Sequence, residues 1–179
     1  MHSDRYRTVS LLRHAKSSWR ERGLPDHDRP LNERGKRAAA LMGDAMLNRN
    51  LIPDLVLCSS AARARMTWDL VSEMFPEAVP VQVEKDLYLA APRTVLDTVR
   101  GIAPEVRHVL IVGHNPTMQA LALVLTETSS HPARTRIWQK YPTGALTVIR
   151  VHWPDWYSAG DGESGDIAEF IRPRDLEKE

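Results

Sequence analysis

Short apolar runs alternate with stretches of helical periodicity along almost the whole chain, and that alternation limits the fold more than any single residue does. Strand-like runs occupy residues 8–12, 55–57, 79–83, 108–112, 145–151 and 167–171, and helix-like segments occupy 32–47, 61–74, 93–102 and 117–125. A helix between two strands covers a sheet face and returns the chain to the same end, so such strands pair in parallel. The predicted class is α/β. In the first helix Ala38, Leu41, Met42, Ala45 and Met46 recur at about a 3.6-residue period, behind Asn32, a residue suited to starting a helix.

The chain has 179 residues, 42% of them apolar, enough for one hydrophobic core, and a single domain over 1–179 is expected. Twenty-four basic against 23 acidic side chains leave a formal charge of +1. Neither a nucleic-acid partner nor a polybasic membrane anchor is expected from that balance, and any electrostatic specificity has to be local. The one cysteine, Cys58, excludes an internal disulfide framework and stands among apolar residues as a small hydrophobe. Residues 1–7 lack a signal-like apolar centre and no run reaches membrane-spanning length, so a cytoplasmic location is expected. Oligomeric state leaves no mark in the sequence.

Three strand ends carry the chemistry. The first runs from Leu11 and Leu12 into Arg13, His14, Ala15, Lys16 and Ser17, placing an Arg-His pair where α/β enzymes gather ligands. A guanidinium grips a phosphoryl group bidentately, and a neutral imidazole can attack phosphorus. The second runs into Ser59 and Ser60, read as capping serines, with Arg63 in the first turn of the following helix, where free N–H groups already favour an anion. Arg65 reads as an ordinary solvated arginine. The third runs into Gly113, His114, Asn115 and Pro116, with Asn115 suited to the N-cap and Pro116 to the first helical position. Two aperiodic segments, 17–30 and 127–143, follow strand ends and are expected to wall the site, while 161–165 reads as a solvated hairpin turn.

In this order and spacing, these residues resemble the histidine phosphatase superfamily, the phosphoglycerate-mutase-like group. Arg13-His14, Ser59 with Arg63-Ala64 and Thr67, and Gly113-His114 carry the likeness. Arg13 to Trp19, the run Asp28-Arg29-Pro30-Leu31 with Glu33-Arg34-Gly35, and His114-Asn115-Pro116 resemble its small SixA-type phosphohistidine phosphatase branch. The resemblance implies a three-layer α/β/α sandwich with a mostly parallel central sheet and an antiparallel edge. It implies His14 as nucleophile, Arg13, Arg63 and His114 as the other catalytic residues, and Lys16, Ser17 and Asn115 as further substrate contacts, with no metal and no cofactor.

Two departures matter. Ala15 stands where the group commonly has glycine, and no carboxylate stands in Leu87-Tyr88-Leu89-Ala90-Ala91-Pro92, where many members carry a glutamate acid. Asp26, Asp28, Glu84 or Asp86 could swing in as the proton donor, although each reads first as a solvated surface charge, and the Asp26-His27-Asp28 run reads as a turn rather than a metal cluster. Expelling an alkoxide from a phosphate ester benefits strongly from a positioned acid, whereas a phosphohistidine leaves as imidazole. The resemblance, with no acid at that place, therefore implies hydrolysis of phosphohistidine on a protein, such as a phosphorelay or phosphotransfer component, through a covalent phosphohistidine intermediate. The alternatives are a phosphatase for small phosphomonoesters or phosphoanhydrides, and an idle module that only holds a phosphorylated partner. Trp138, Trp153 and Trp156 are expected in core or rim packing.

Overall fold

The computed structural model describes residues 6–162 and 164–177 of the chain. Most of the polar N-terminal run and Glu163, inside the predicted hairpin turn, lie outside the described residues. Strands β1 (Arg7–Arg13), β2 (Leu55–Ser59), β3 (Val81–Glu84), β4 (His108–Gly113), β5 (Leu146–Val151) and β6 (Asp166–Ile171) form one sheet in the order β3-β2-β4-β1-β5-β6. The first four run parallel, with β4 inserted between β2 and β1. β5 pairs antiparallel with β1 and β6 antiparallel with β5, which makes the antiparallel edge.

Alternate strand residues point to opposite faces, and the chain uses both. Leu11, Leu57, Val109 and Ile111 face one apolar cluster, closed by α3 (Pro92–Arg100), α4 (Thr117–Leu125) and α5 (Ala133–Gln139) through Val95, Leu121 and Ile137. Leu12, Val56, Cys58, Leu110 and Val112 face the other, closed by α1 (Glu33–Asn48) and α2 (Ala62–Ser72) through Met42, Met46, Trp68 and Val71. The short α6 (Pro173–Leu176) packs beside α1. Two helical layers thus sandwich the sheet. Among the described residues no helix is long and apolar enough to cross a membrane.

The structure adjusts the sequence reading at several points. The buried stripe of α1 runs through Gly35, Ala39, Met42, Gly43, Ala45 and Met46: Met42, Ala45 and Met46 are buried as expected, Ala38 and Leu41 are only half-buried, and two glycines let the helix approach neighbouring backbone. A Cβ at Gly35 would stand 2.1 Å from the Lys16 carbonyl oxygen, and one at Gly43 would stand 2.6 Å from that of Val71. α5 lies inside the aperiodic segment 127–143, since seven residues with Ala133 and Ile137 buried are too few to display a period. Trp153 and Trp156 are core residues, but Trp138 is 70% exposed.

Candidate active site

Asn32 caps α1 by accepting from the Gly35 amide at 2.8 Å, and its own amide donates to the Lys16 carbonyl at 3.0 Å. A bridge between Ser17 and Leu31 closes the same clamp. The chain leaving β1 is therefore held against α1. His14 sits one residue past the strand, its amide donating to the Gly113 carbonyl at 2.9 Å, so β4 carries it. The Ala15 amide donates to Thr67 Oγ1 at 3.0 Å, and that hydroxyl donates to the Arg63 carbonyl at 2.7 Å, so α2 is tied to the same turn.

These ties bring His14, Arg63 and His114 into one group. The two imidazole centroids are 5.1 Å apart, and the Arg63 Nε lies 3.4 Å from His14 Nε2. His14 Nδ1 lies 2.8 Å from the Ala15 carbonyl oxygen, to which it donates, so the lone pair is on Nε2, where it accepts from Arg63 Nε. Burial is the main force lowering the His14 pKa to about 4, with Arg63 and Arg13 acting in the same direction and the Ala15 bond opposing them. His114 falls to about 3, first through burial and then through His14 and Arg63. Both rings are neutral near pH 7.

Arg13 donates through Nη1 to the Tyr141 carbonyl at 2.8 Å and lines the same cleft as His14, Lys16, Ser17 and Arg63. Asn115 does not cap a helix. Its peptide to Pro116 is cis, α4 begins at Thr117 behind Pro116, and the Asn115 side chain instead donates to the Tyr141 carbonyl at 3.3 Å. The second correction concerns the serines: α2 begins after Ala61 without a side-chain cap. Ser59 turns inward instead, with Oγ 2.7 Å from His114 Nε2, and Ser60 meets His27 Nε2 at 2.9 Å.

Asp26, expected first as a solvated charge, instead meets Arg63. It sits in a 3₁₀ turn (Asp26–Asp28) whose backbone carbonyl accepts from Arg63 Nη1 at 2.7 Å while its carboxylate accepts from Nη2 at 3.0 Å. Tyr88, which the sequence reading passed over, donates its hydroxyl to the same carboxylate at 2.5 Å and packs edge-on against His114 at 5.5 Å. The Tyr88 hydrogen bond is the largest influence holding Asp26 below the usual carboxylate range, with Arg63 adding to it. Asp28 points elsewhere, to His27 Nδ1 at 3.1 Å. No local pattern marks Tyr88; it lies 62 residues from Asp26 in the chain.

The cleft over this group holds about 680 Å³. Its walls come from residues of the 17–30 and 127–143 segments, as expected, and also from α1 through Arg34 and Ala38 and from Arg172, Pro173, Arg174 and Glu177. Arg65 is exposed, and Cys58 is buried and free, its thiol pushed up to about 12 mainly by burial.

Comparison with known proteins gives the family. Residues 9–88 match the histidine phosphatase superfamily (branch 1). An uncharacterised protein of Mycobacterium tuberculosis is 44% identical over 149 residues, covering 80% of this chain and 90% of its own length. The structure of SixA from Agrobacterium tumefaciens, a protein assigned as a phosphohistidine phosphatase, is 31% identical with a TM-score of 0.78, covering 93% of this chain and 98% of its own. SixA from Nakamurella multipartitia, with the same assignment, gives 27% identity and a TM-score of 0.82 over 94% of this chain and 96% of its own. The chain belongs to the histidine phosphatase superfamily, in its SixA-like branch.

Proposed function

We propose that the protein is a phosphatase for phosphohistidine borne on a protein, working through a phosphohistidine intermediate on His14. The family supports phosphatase chemistry, and the SixA neighbours are assigned to this substrate class. The observation that carries the substrate is the state of Asp26. It is the carboxylate whose charge reaches both histidines, and Tyr88 and Arg63 hold it ionised. An ionised carboxylate has no proton to give an alkoxide. A phosphohistidine whose remote ring nitrogen is already protonated departs as neutral imidazole and asks for none.

In the first step the His14 Nε2 lone pair forms a bond to phosphorus as the P–N bond to the leaving imidazole breaks. Arg13 and Arg63 grip the phosphoryl oxygens. His114 assists through its other edge: Ser59 Oγ accepts from the Ala61 amide at 3.3 Å, and among the described residues its other partner is His114 Nε2 at 2.7 Å, so the buried hydroxyl gives its hydrogen to that nitrogen. Nδ1 then carries the ring proton, and it is buried without a partner. A buried orphan donor next to the nucleophile is suited to a phosphoryl oxygen as charge shifts in the transition state. In the second step water bonds to phosphorus, the P–Nε2 bond breaks, and inorganic phosphate leaves with His14 neutral again. Lys16 and Ser17 line the route in.

A substrate panel tests this reading. A phosphohistidine peptide is expected to exceed sugar phosphates and nucleotides in kcat/KM, and brief exposure to it should leave acid-labile phosphate on the wild-type protein. Preference for a phosphomonoester overturns the substrate assignment; binding of the phosphopeptide without turnover makes the protein the idle module.

A further inference from the structure

The cleft is far more basic than the chain. Eight lysine and arginine side chains line it against two carboxylates, Asp26 and Glu177, although the whole sequence is almost balanced at +1. The pairings sharpen the contrast. Asp26 is engaged by Arg63, and Arg172 is held by Asp175 at 2.8 Å. Among the described residues the side chains of Arg34, Lys140 and Arg174 have no hydrogen bond or ion pair, and all three are exposed. Arg136 is exposed as well and only stacks on Phe170.

These cations come from three separate elements: Arg34 from α1, Arg136 and Lys140 from α5 and its end, Arg174 from α6. Like charges gathered on one wall repel one another, and a single phosphoryl group already has Arg13 and Arg63. The volume of about 680 Å³ also exceeds what one phosphoryl group fills. Trp19 stands on the same wall, 68% exposed, with Arg29 stacked on its ring at 4.2 Å. A braced, exposed indole lining the same cleft as these unpaired cations suits an extended polypeptide carrying carboxylates.

We infer that Arg34, Lys140 and Arg174 form a second anion subsite that reads acidic residues flanking the phosphohistidine of a protein substrate. This rests on the phosphohistidine reading above and adds to it what surrounds the phosphorylated residue. Exposed ion pairs are each weak, but several acting together steer and hold a partner and fade with added salt.

The test compares two phosphohistidine peptides of equal length, flanked by Glu or by Gln, at low and high salt. Wild type is expected to favour the Glu peptide by about tenfold in kcat/KM, through KM rather than kcat, and to lose the preference at high salt. The triple variant R34Q/K140Q/R174Q is expected to treat both peptides alike while hydrolysing p-nitrophenyl phosphate as wild type does. Equal use of both peptides by wild type, or a preference that survives in the variant, overturns the subsite. If neither peptide is hydrolysed while p-nitrophenyl phosphate is, the phosphohistidine reading fails, and fluorescence anisotropy with labelled, unphosphorylated Glu and Gln peptides decides the subsite. Tighter binding of the Glu peptide that vanishes in the variant supports it, and equal binding overturns it.

Discussion

At the scale of the residue, the site depends on which nitrogen of each imidazole is free. His14→Ala removes the proposed nucleophile and is expected to lower turnover by more than about a thousandfold with an unchanged circular dichroism spectrum; near-normal turnover would remove His14 from that role. The neutral state of His14 is checked by NMR titration of its ring. The expected midpoint is about 4, so the ring stays uncharged from pH 7 down past pH 5. A midpoint at 6.5 would place it in open water. Ser59→Ala frees His114 to adopt the wrong tautomer, and the expected cost is about tenfold to a hundredfold in kcat with little change in KM. Ser59→Thr, which keeps the hydroxyl, should recover most of the loss, whereas a purely space-filling role for Ser59 would show no such rescue.

At the scale of the element, α1 acts as the wall against which the loop after β1 is set. Its first turn meets Lys16 through the Asn32 amide and through the bare face of Gly35. A methyl group there lands on a backbone carbonyl, which cannot swing aside as a side chain can. Gly35→Ala is therefore expected to cost about 1–3 kcal/mol, read as a lower urea midpoint. Catalysis should weaken with it as Lys16 and Ser17 shift, even though Gly35 touches no substrate. An unchanged midpoint would mean that the clamp does not hold the loop. The sequence marked the cap at Asn32, because capping is local, but not the glycine's use, which depends on a loop 19 positions earlier in the chain.

At the scale of the whole molecule, burial of three imidazoles links stability to pH. His14 and His108 are lowered to about 4 and His114 to about 3, in every case first by burial. An unfolded chain takes up these protons near pH 6.5 while the native protein refuses them until nearer pH 4. Their stabilisation is thus complete above pH 6.5 and is lost as pH falls from there, through about 4 for His14 and His108 and about 3 for His114. Each group contributes a slope of roughly 1.4 kcal/mol per pH unit within that window. Urea midpoints taken across it should fall steeply. His108 lies outside the cleft, bonded through Nε2 to Ser10 at 2.7 Å, so His108→Gln should flatten the slope without touching the catalytic group. A slope that is the same in this variant would show that His108 titrates alike in both states.

Much of the architecture was legible in the chain because its causes are local. A buried strand has to be a short apolar run, a helix has to repeat its apolar side chains every turn, and the residues that follow parallel strands gather at one end of the sheet. Arg13, His14, Arg63 and His114 could be named on that ground. What the tertiary structure alone decided are meetings between segments with no period of their own. Asp26 reads as a surface charge until a 3₁₀ turn brings it against Arg63 and Tyr88, and Ser59 reads as a helix cap until β4 sets His114 beside it. The cleft's excess of cations is hidden for the same reason: a net charge of +1 is a sum over the chain, whereas the field over the site depends on where α1, α5 and α6 place their side chains in space.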